Sequence, residues 1–439
     1  SMLSSLLRAV FVMCLMFASG TAQAVSPLRD AGMERALNEL ARPILTAAGV
    51  SPARTRILVV DDSRLNAFVI TGDAIYVHSG LILKLESAAQ LQAVIAHEAA
   101  HIANGHLARR INNMRNAQRA SAVGMAIGVF AGAAGAGSAA AGIAAGSAGT
   151  AQRAFLAHTR TEESSADQSS VRYLLRAGVD PRGALEVLDL FRGQEALSVS
   201  RQDPYSRSHP LTTDRYRALE ALVGANPGRA GSSAEADYWF ARAQGVLSAF
   251  KRAPSWTLRR ATGSGDIDQM RRAVAHHRKP DKARAIREVT ALVAARPNDP
   301  YYRDLQGQIL LENRETPAAV QAYARAVQLA PNDALILGAY GKALLAQNTA
   351  ASNRTALDVL VRARSRDGRD SRTLQALGLA YARAGQPGQA ALAGAERLAL
   401  SGRLADALPL ARRAAGLLPQ GSTGWTRAQD IIRTAEALQ

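Results

Sequence analysis

The sequence has 439 residues, enough for two large domains or about three domains of ordinary size. Apolar residues make up 48% and charged residues 20%, which excludes a wholly disordered chain, a collagen-like repeat and a disulfide scaffold. The formal net charge of +17 would suit nucleic acid or a membrane surface, but only 5% of residues are aromatic and no basic run alternates with stacking aromatics, so we expect no nucleic-acid partner.

The first 24 residues have the pattern of a secretory signal peptide. Arg8 supplies a positive charge, residues 9–18 are apolar, and Ala-Gln-Ala at 22–24 is a small-x-small cleavage motif. The alternative is a membrane anchor, for which the apolar core is short. The single cysteine, Cys14, lies in this segment, so the exported chain would contain no thiol. We therefore expect cleavage near Ala24 and a periplasmic protein.

The next part of the chain predicts a mixture of helices and short strands. An amphipathic pattern over 33–48 predicts a helix, and the β-branched runs at 57–60, 67–70 and 75–77 predict a small antiparallel or mixed sheet. After Ser87 the apolar residues recur at helical spacing.

A turn-rich stretch at 226–233 divides the chain, and we predict domains at 25–228 and 229–439. Residues 25–225 contain 21 basic and 18 acidic residues, whereas residues 226–439 contain 31 and 18. The basic excess therefore belongs to the second half.

The sharpest motif is His97-Glu98-Ala-Ala-His101 within a predicted helix. Residues four apart project from one helical face, so both imidazoles can hold one metal ion, and Glu98 can take a proton from an attacking water. The alternative for an isolated match is a solvated helix face with two stray histidines.

A third metal ligand is expected because catalytic zinc uses three protein ligands and keeps one position open. The motif R-T-E-E-S-S-A-D at 160–167 leads into another helix, on which Glu163 and Asp167 share a face. Glu163 could complete the metal shell, and Asp167 could accept the second ring N–H of a ligand histidine.

These motifs resemble the zinc peptidases related to CAAX prenyl proteases and Oma-type mitochondrial proteases. That family has H-E-x-x-H followed by R-x-x-E-x-x-A-D, and Glu163, not Glu162, falls on its ligand position. Ala100 stands where members more often have glycine. The resemblance implies an α+β zincin-like peptidase domain, mostly helical with a small sheet, and one Zn²⁺ per chain bound by His97, His101 and Glu163.

Two further motifs match the same family. Asn-Ala-Phe at 66–68 implies a strand beside the substrate cleft, and Ser-His-Pro at 208–210 is followed by Arg215. The resemblance places His209 near the metal, where it could plug the open position or donate to the oxyanion with help from Arg215; a loop histidine without contact to the site is the alternative. We predict Glu98, Asp167 and His209 as the catalytic residues.

The remaining histidines are predicted to lie outside the metal shell. His106 follows His101 by five residues, which on a continuing helix rotates it away, so we interpret it as a helix-end histidine. His78 and His158 belong to no motif and are interpreted as structural.

The segment 121–150 has no charge, and 20 of its 30 residues are Ala or Gly. It is long enough to span a membrane, but Ala and Gly drive insertion poorly, and a span would separate His101 from Glu163. We expect a hairpin or flap over the cleft. The alternatives are peripheral membrane contact and a true span.

The second half is repetitive. Arg-Pro-Asn-Asp at 296–299 and Ala-Pro-Asn-Asp at 330–333 lie 34 residues apart, the period of tetratricopeptide helix pairs. Small and aromatic residues between them, such as Gly307 and Tyr323, suit close helix packing. We predict an all-α tetratricopeptide solenoid; the alternative is an alanine-rich bundle.

The combined features resemble the periplasmic β-barrel assembly-enhancing proteases. That resemblance implies a zinc endopeptidase in quality control of outer-membrane protein assembly, with repeats that capture unfolded or misassembled proteins and contact the β-barrel assembly machinery. The alternative is a chaperone or adaptor in which the repeats dominate and proteolysis is rare. The presence of the complete motif set argues against an inactive enzyme.

Overall fold

The computed structural model describes residues 27–110, 157–228 and 233–438. The predicted signal peptide and the Ala/Gly-rich segment 121–150 lie outside these ranges. Within them, no helix has the length and hydropathy needed to cross a membrane.

A four-stranded mixed sheet has the strand order β1-β2-β4-β3. Its strands are β1 (Pro27–Leu28), β2 (Arg56–Val60), β3 (Ala67–Val69) and β4 (Ala74–His78). β2 and β4 are parallel, the other pairs are antiparallel, and β3 lies at an edge. The N–H of His78 donates to the carbonyl of Asn66 at 2.9 Å. Because bonding alternates along an antiparallel pair, Ala67 and Val69 turn their own N–H and C=O groups away from β4.

Residues 106–110 are helical, and the α-helices that lie whole within the described ranges pack around this sheet. They are α1 (Ala31–Ala47), α2 (Ser79–Lys84), α3 (Ala88–Ala103), α4 (Arg160–Arg176), α5 (Arg182–Asp189), α6 (Pro204–Ser208) and α7 (Thr213–Ala225). α3 is central and buried along most of its length, because α1, α4, α5 and β3 all pack on it. The side chain of Ser87 accepts from the N–H of Gln90 at 3.2 Å and so fixes where α3 begins.

Helix pairs form the second half of the chain. They are α8 (Ala234–Lys251), α9 (Pro254–Arg260), α10 (Asp266–Arg278), α11 (Lys282–Ala295), α12 (Pro300–Glu312), α13 (Thr316–Leu329), α14 (Ala334–Gln347), α15 (Ala350–Arg366), α16 (Ser371–Arg383), α17 (Pro387–Leu400), α18 (Leu404–Leu417) and α19 (Thr423–Glu436). The aspartates of the 34-residue period, Asp299 and Asp333, cap α12 and α14. A Cβ on Gly307 would lie 2.7 Å from the ring of Tyr323, so only glycine permits the close α12–α13 contact. The predicted fold class, a mostly helical α+β domain followed by an all-α repeat array, is confirmed.

The two halves share one hydrophobic core, which runs from α1 to α12. α8 packs on α1, and Gln244 on α8 donates to the carbonyls of Ile82 and Leu85 at 3.1 and 2.8 Å. The domain boundary predicted at 228/229 stays a prediction. The hydrophobic core is continuous across it.

A buried ion cluster also joins the halves. We call it the interdomain cluster; it consists of Arg29, Glu34, Arg56 and Asp367. Arg29 contacts Glu34 at 2.9 Å and Asp367 at 2.5 Å, and Arg56 also pairs with Asp367. The loop between α15 and α16 is thereby fixed against β1, α1 and β2.

Candidate metal centre

Four ligand side chains from three parts of the chain converge beneath the sheet edge. α3 contributes His97 and His101, α4 contributes Glu163, and His209 follows α6. Their ligand atoms lie within 4.8 Å of one another, and all four residues are buried. The Nε2 atoms of His97 and His101 lie 3.1 and 3.0 Å from the two oxygens of Glu163, and 3.1 Å from each other.

Small residues allow α3 and α4 to come this close. Ala100 on α3 packs on Ala166 of α4, and both are fully buried. Thr159 caps α4 in a capping box with Glu162, which puts Glu163 in the first turn. The alanine at 100 therefore serves the small-residue contact expected at that position.

The two neighbouring glutamates have separate environments. Glu162 turns away from the metal ligands: it accepts from the N–H of Thr159 at 3.1 Å and pairs with Arg109 at 2.7 Å. Glu163 lies inside the cluster, where Arg215 contacts it at 3.0 Å. Burial raises the pKa of Glu163, but His209, Arg215 and His97 outweigh burial and hold the pKa well below its usual range.

Asp167 and Arg215 orient the ligands from behind. Nδ1 of His97 lies 3.2 Å from Asp167, which fits an N–H that donates to this carboxylate and leaves Nε2 free for a metal. Arg215 in turn holds Asp167 at 2.6 and 3.0 Å. Burial raises the pKa of Asp167, but Arg215 outweighs it and keeps the carboxylate ionised. Arg215 also donates to the carbonyls of His209 and Pro210 at 3.3 and 3.1 Å.

The residues present fit a divalent cation. Glu98 is fully buried; Nε2 of His209 lies 3.0 Å from its Oε1, and its Oε2 has no hydrogen-bond partner in the described residues. Burying a carboxylate oxygen without a partner is costly. Of the three carboxylates, Glu163 and Asp167 contact the guanidinium of Arg215, whereas Glu98 contacts an imidazole, so the described cluster lacks positive charge when its imidazoles are neutral. A metal ion with a bound water would supply both the charge and a partner for Glu98.

His209 lies between the two carboxylates at the ligand face. Its Nδ1 is 2.9 Å from Glu163, and its Nε2 is 3.0 Å from Glu98 and 3.1 Å from the carbonyl of Ala67. Burial lowers the pKa of His209, but Glu98 and Glu163 outweigh burial and raise it to about 10. The structure thus places His209 at the site, in the position that a fourth metal ligand would take.

Two histidines that sequence reasoning placed apart from the site are in contact with it. α3 ends at Ala103, and Gly105, with φ of +73°, turns the chain back. Nδ1 of His106 therefore lies 2.8 Å from Nδ1 of His101, so the rotation assumed for a continuing helix was wrong. The Asn-Gly pair at 104–105 is the helix-ending signal that would have corrected it.

His158 stacks on the ring of His101, with centroids 3.5 Å apart and planes 4° from parallel. Its Nε2 lies 2.8 Å from Nη2 of Arg110 and accepts from that guanidinium. The rings of His101 and His158 are nearly parallel, so their nitrogen lone pairs do not converge on one point, and Nε2 of His158 is already occupied by Arg110. The contacts of His106 and His158 fix the ring plane of His101.

Known proteins share similarity with this part of the chain. Residues 27–223 match the model of peptidase family M48. The chain is 25% identical over 421 residues to the beta-barrel assembly-enhancing protease of Escherichia coli (strain K12), covering 94% of this chain and 85% of that protein. It is also 25% identical over 187 residues to the mitochondrial metalloendopeptidase OMA1 of Schizosaccharomyces pombe, covering 42% of this chain and 51% of that protein. These matches confirm the predicted family resemblance and the predicted class, a metalloendopeptidase.

Solved structures also align with part of the chain. A thermophilic TPR protein of Thermus thermophilus aligns with a TM-score of 0.29 and 19% identity, covering 40% of this chain and 99% of that one. MamA of Desulfovibrio magneticus RS-1 aligns with a TM-score of 0.32 and 19% identity, covering 36% and 92%.

Proposed function

We propose that this chain, whose residues 27–223 match the model of peptidase family M48, is a periplasmic endopeptidase with one zinc ion per chain. His97, His101 and Glu163 are the proposed ligands. The observation that carries the proposal is the buried carboxylate of Glu98, whose Oε2 lacks a hydrogen-bond partner in the described residues and which lies beside four converging ligand side chains.

Different residues of the chain would have different roles in peptide hydrolysis. Zinc at this position would acidify a water and polarise the scissile carbonyl. Glu98 would take the proton of the attacking water and later deliver it to the leaving amine. Asp167 and Arg215 would keep His97 and Glu163 in their ligand geometry, as their contacts indicate.

We infer that an extended substrate adds to the edge of β3 that faces away from β4. Ala67 and Val69 point their peptide groups away from β4, which is the arrangement that a further antiparallel strand requires. Their carbonyls are taken by His209, at 3.1 Å, and by Nη1 of Arg110, at 2.6 Å. An incoming strand would have to displace both groups, which supports His209 as a restraint on the resting enzyme.

The clients are proposed from the relatives. The matched proteins are named for enhancing β-barrel assembly, so we propose unfolded or misassembled outer-membrane proteins as substrates and the assembly machinery as a partner of the repeats. Quality control of outer-membrane protein assembly is the function that makes best use of both the peptidase centre and the helical repeat array.

The test combines metal analysis with casein digestion, using wild type, Glu98→Gln and the control Glu86→Gln, which alters an exposed glutamate just before α3. We expect one zinc per chain in all three proteins and a loss of proteolysis of about 10²–10⁴-fold in Glu98→Gln alone, because general acid–base catalysis is worth that much. Zinc-loaded Glu98→Gln that cleaves at the wild-type rate would refute the proposal.

A further inference from the structure

The region where α8 passes into α9 concentrates unbalanced positive charge. Residues 251–265 contain four basic residues and no acidic residue. Three of them, Arg252, Arg259 and Arg260, are exposed. The peptidase centre uses none of them, and they account for part of the basic excess of the second half.

These arginines surround one aromatic ring. The guanidinium carbon of Arg260 lies 4.1 Å from the ring centroid of Trp256, and that of Arg252 lies 5.5 Å away. Trp256 itself is half-buried. Tryptophan beside arginine is the composition that proteins place at the headgroup level of a lipid surface, where the ring stays amphipathic and the charges meet phosphates.

The next helix adds to the same surface. Arg278, near the end of α10, donates to the carbonyls of Ala249 and Arg252, which brings Arg278 and the adjacent Lys279 beside the arginines of α9. Both residues are exposed. We call the five exposed residues Arg252, Arg259, Arg260, Arg278 and Lys279, together with Trp256, the α9 surface.

Nearby carboxylates are engaged elsewhere. Asp61 pairs with Lys251 at 2.6 Å. Asp268 pairs with Arg271 at 3.0 Å and accepts from the N–H of Gly263 at 2.8 Å. Asp281 caps α11 by accepting from the N–H of Arg284. The charge of the α9 surface is therefore available to an outside partner.

We propose that the α9 surface binds an anionic lipid membrane peripherally. A nucleic acid fits less well, because Arg260 and Arg252 cover the ring that a base would stack on. The contact between Lys251 and Asp61 ties this surface to the loop that leads into β3.

The experiment is co-sedimentation of the full chain with vesicles of phosphatidylcholine alone or with about 30% phosphatidylglycerol, at about 0.05 M and 0.2 M salt. The variant Arg252→Ser/Arg259→Ser/Arg260→Ser is compared with Arg325→Ser/Arg354→Ser/Arg413→Ser, which removes the same charge from exposed positions on other repeats. Casein digestion checks that both variants are folded.

We expect salt-sensitive binding to the anionic vesicles only. Because one basic residue near an anionic surface is worth about fivefold in binding, the α9 variant should lose about a hundredfold and the control much less. Trp256→Phe should remove the fluorescence shift seen on binding. Equal losses in both triple variants, no binding to anionic vesicles at low salt, or tighter binding to a duplex oligonucleotide would each overturn the proposal.

Discussion

The metal centre and the interdomain cluster are both buried and both built from charged side chains, but their charges balance differently. In the interdomain cluster two guanidiniums meet two carboxylates, and each carboxylate touches an arginine. In the metal centre Arg215 contacts Glu163 and Asp167, whereas the third carboxylate, Glu98, contacts the imidazole of His209. Burial alone therefore does not mark a functional site. The shortage of positive charge does, because it creates a place for an ion that the chain does not supply.

The largest effect should follow from removing charge from the balanced cluster. Asp367→Asn leaves Arg29 and Arg56 without their shared carboxylate, so the free energy of unfolding should fall by about 3–5 kcal/mol. Urea unfolding of Asp367→Asn and of the exposed control Asp358→Asn measures this difference. Zinc bound per folded chain should stay unchanged. Loss of zinc from the folded variant would show that the two clusters are coupled.

The same variant has a predicted pH dependence. Burial raises the pKa of Asp367, but Arg29 and Arg56 outweigh it and hold the pKa below its ordinary value. A lowered folded-state pKa stabilises the protein above the unfolded value of about 4, and this contribution is lost as pH falls through the folded pKa. The stability gap between wild type and Asp367→Asn should thus be full at neutral pH and shrink below about pH 4. A gap that does not depend on pH would contradict the assigned ion pair.

In the metal centre, the matched pair Glu163→Gln and Glu162→Gln should show the opposite pattern. Glu163→Gln exchanges a charged ligand for a neutral one, so zinc affinity should fall by at least about a hundredfold. Glu162→Gln should keep its zinc. Competition with a chelator gives both affinities, and equal losses would show that the wrong carboxylate has been assigned.

A smaller effect is expected from replacing Asp167, which contacts the metal ligand His97 but is not itself a proposed ligand. Asp167→Asn keeps the size of the side chain but weakens the acceptor for Nδ1 of His97, so zinc affinity or turnover should fall about 10–100-fold. The exposed Asp189, at the end of α5, has no contact with the centre in the described structure, and Asp189→Asn serves as its control. If Asp167→Asn matches its control in both measurements, Asp167 does not support the metal.

The smallest effect should come from His209. Its contacts with Glu98, Glu163 and the carbonyl of Ala67 favour a restraint on the resting enzyme, so His209→Ala should raise basal casein cleavage and self-cleavage by a few-fold. Lower turnover with unchanged metal content would instead indicate that His209 donates a hydrogen bond to the oxyanion. Unchanged activity would remove it from the mechanism.

The sequence could predict the parts of the site that depend on local geometry. The spacing of His97 and His101 on one helix, and of Glu163 and Asp167 on another, is fixed by helical periodicity. The contacts of His106 and His158 depend on a chain reversal at Gly105 and on packing between distant segments, so spacing could not reveal them. The interdomain cluster joins residues 338 positions apart, and no local pattern predicts such a pair.

The core shared between α1 and α12, together with the contact between Arg29 and Asp367, has a consequence for the newly made chain. A nascent chain that has emerged only as far as the last residue of α7 already contains every proposed metal ligand, but the face of α1 that α8 covers is still open. Arg29 can pair at once with Glu34, but its second carboxylate, Asp367, is made much later. Contacts so distant in sequence form late in folding. The order of synthesis thus delays a fully packed peptidase until the repeats that stabilise it have been made.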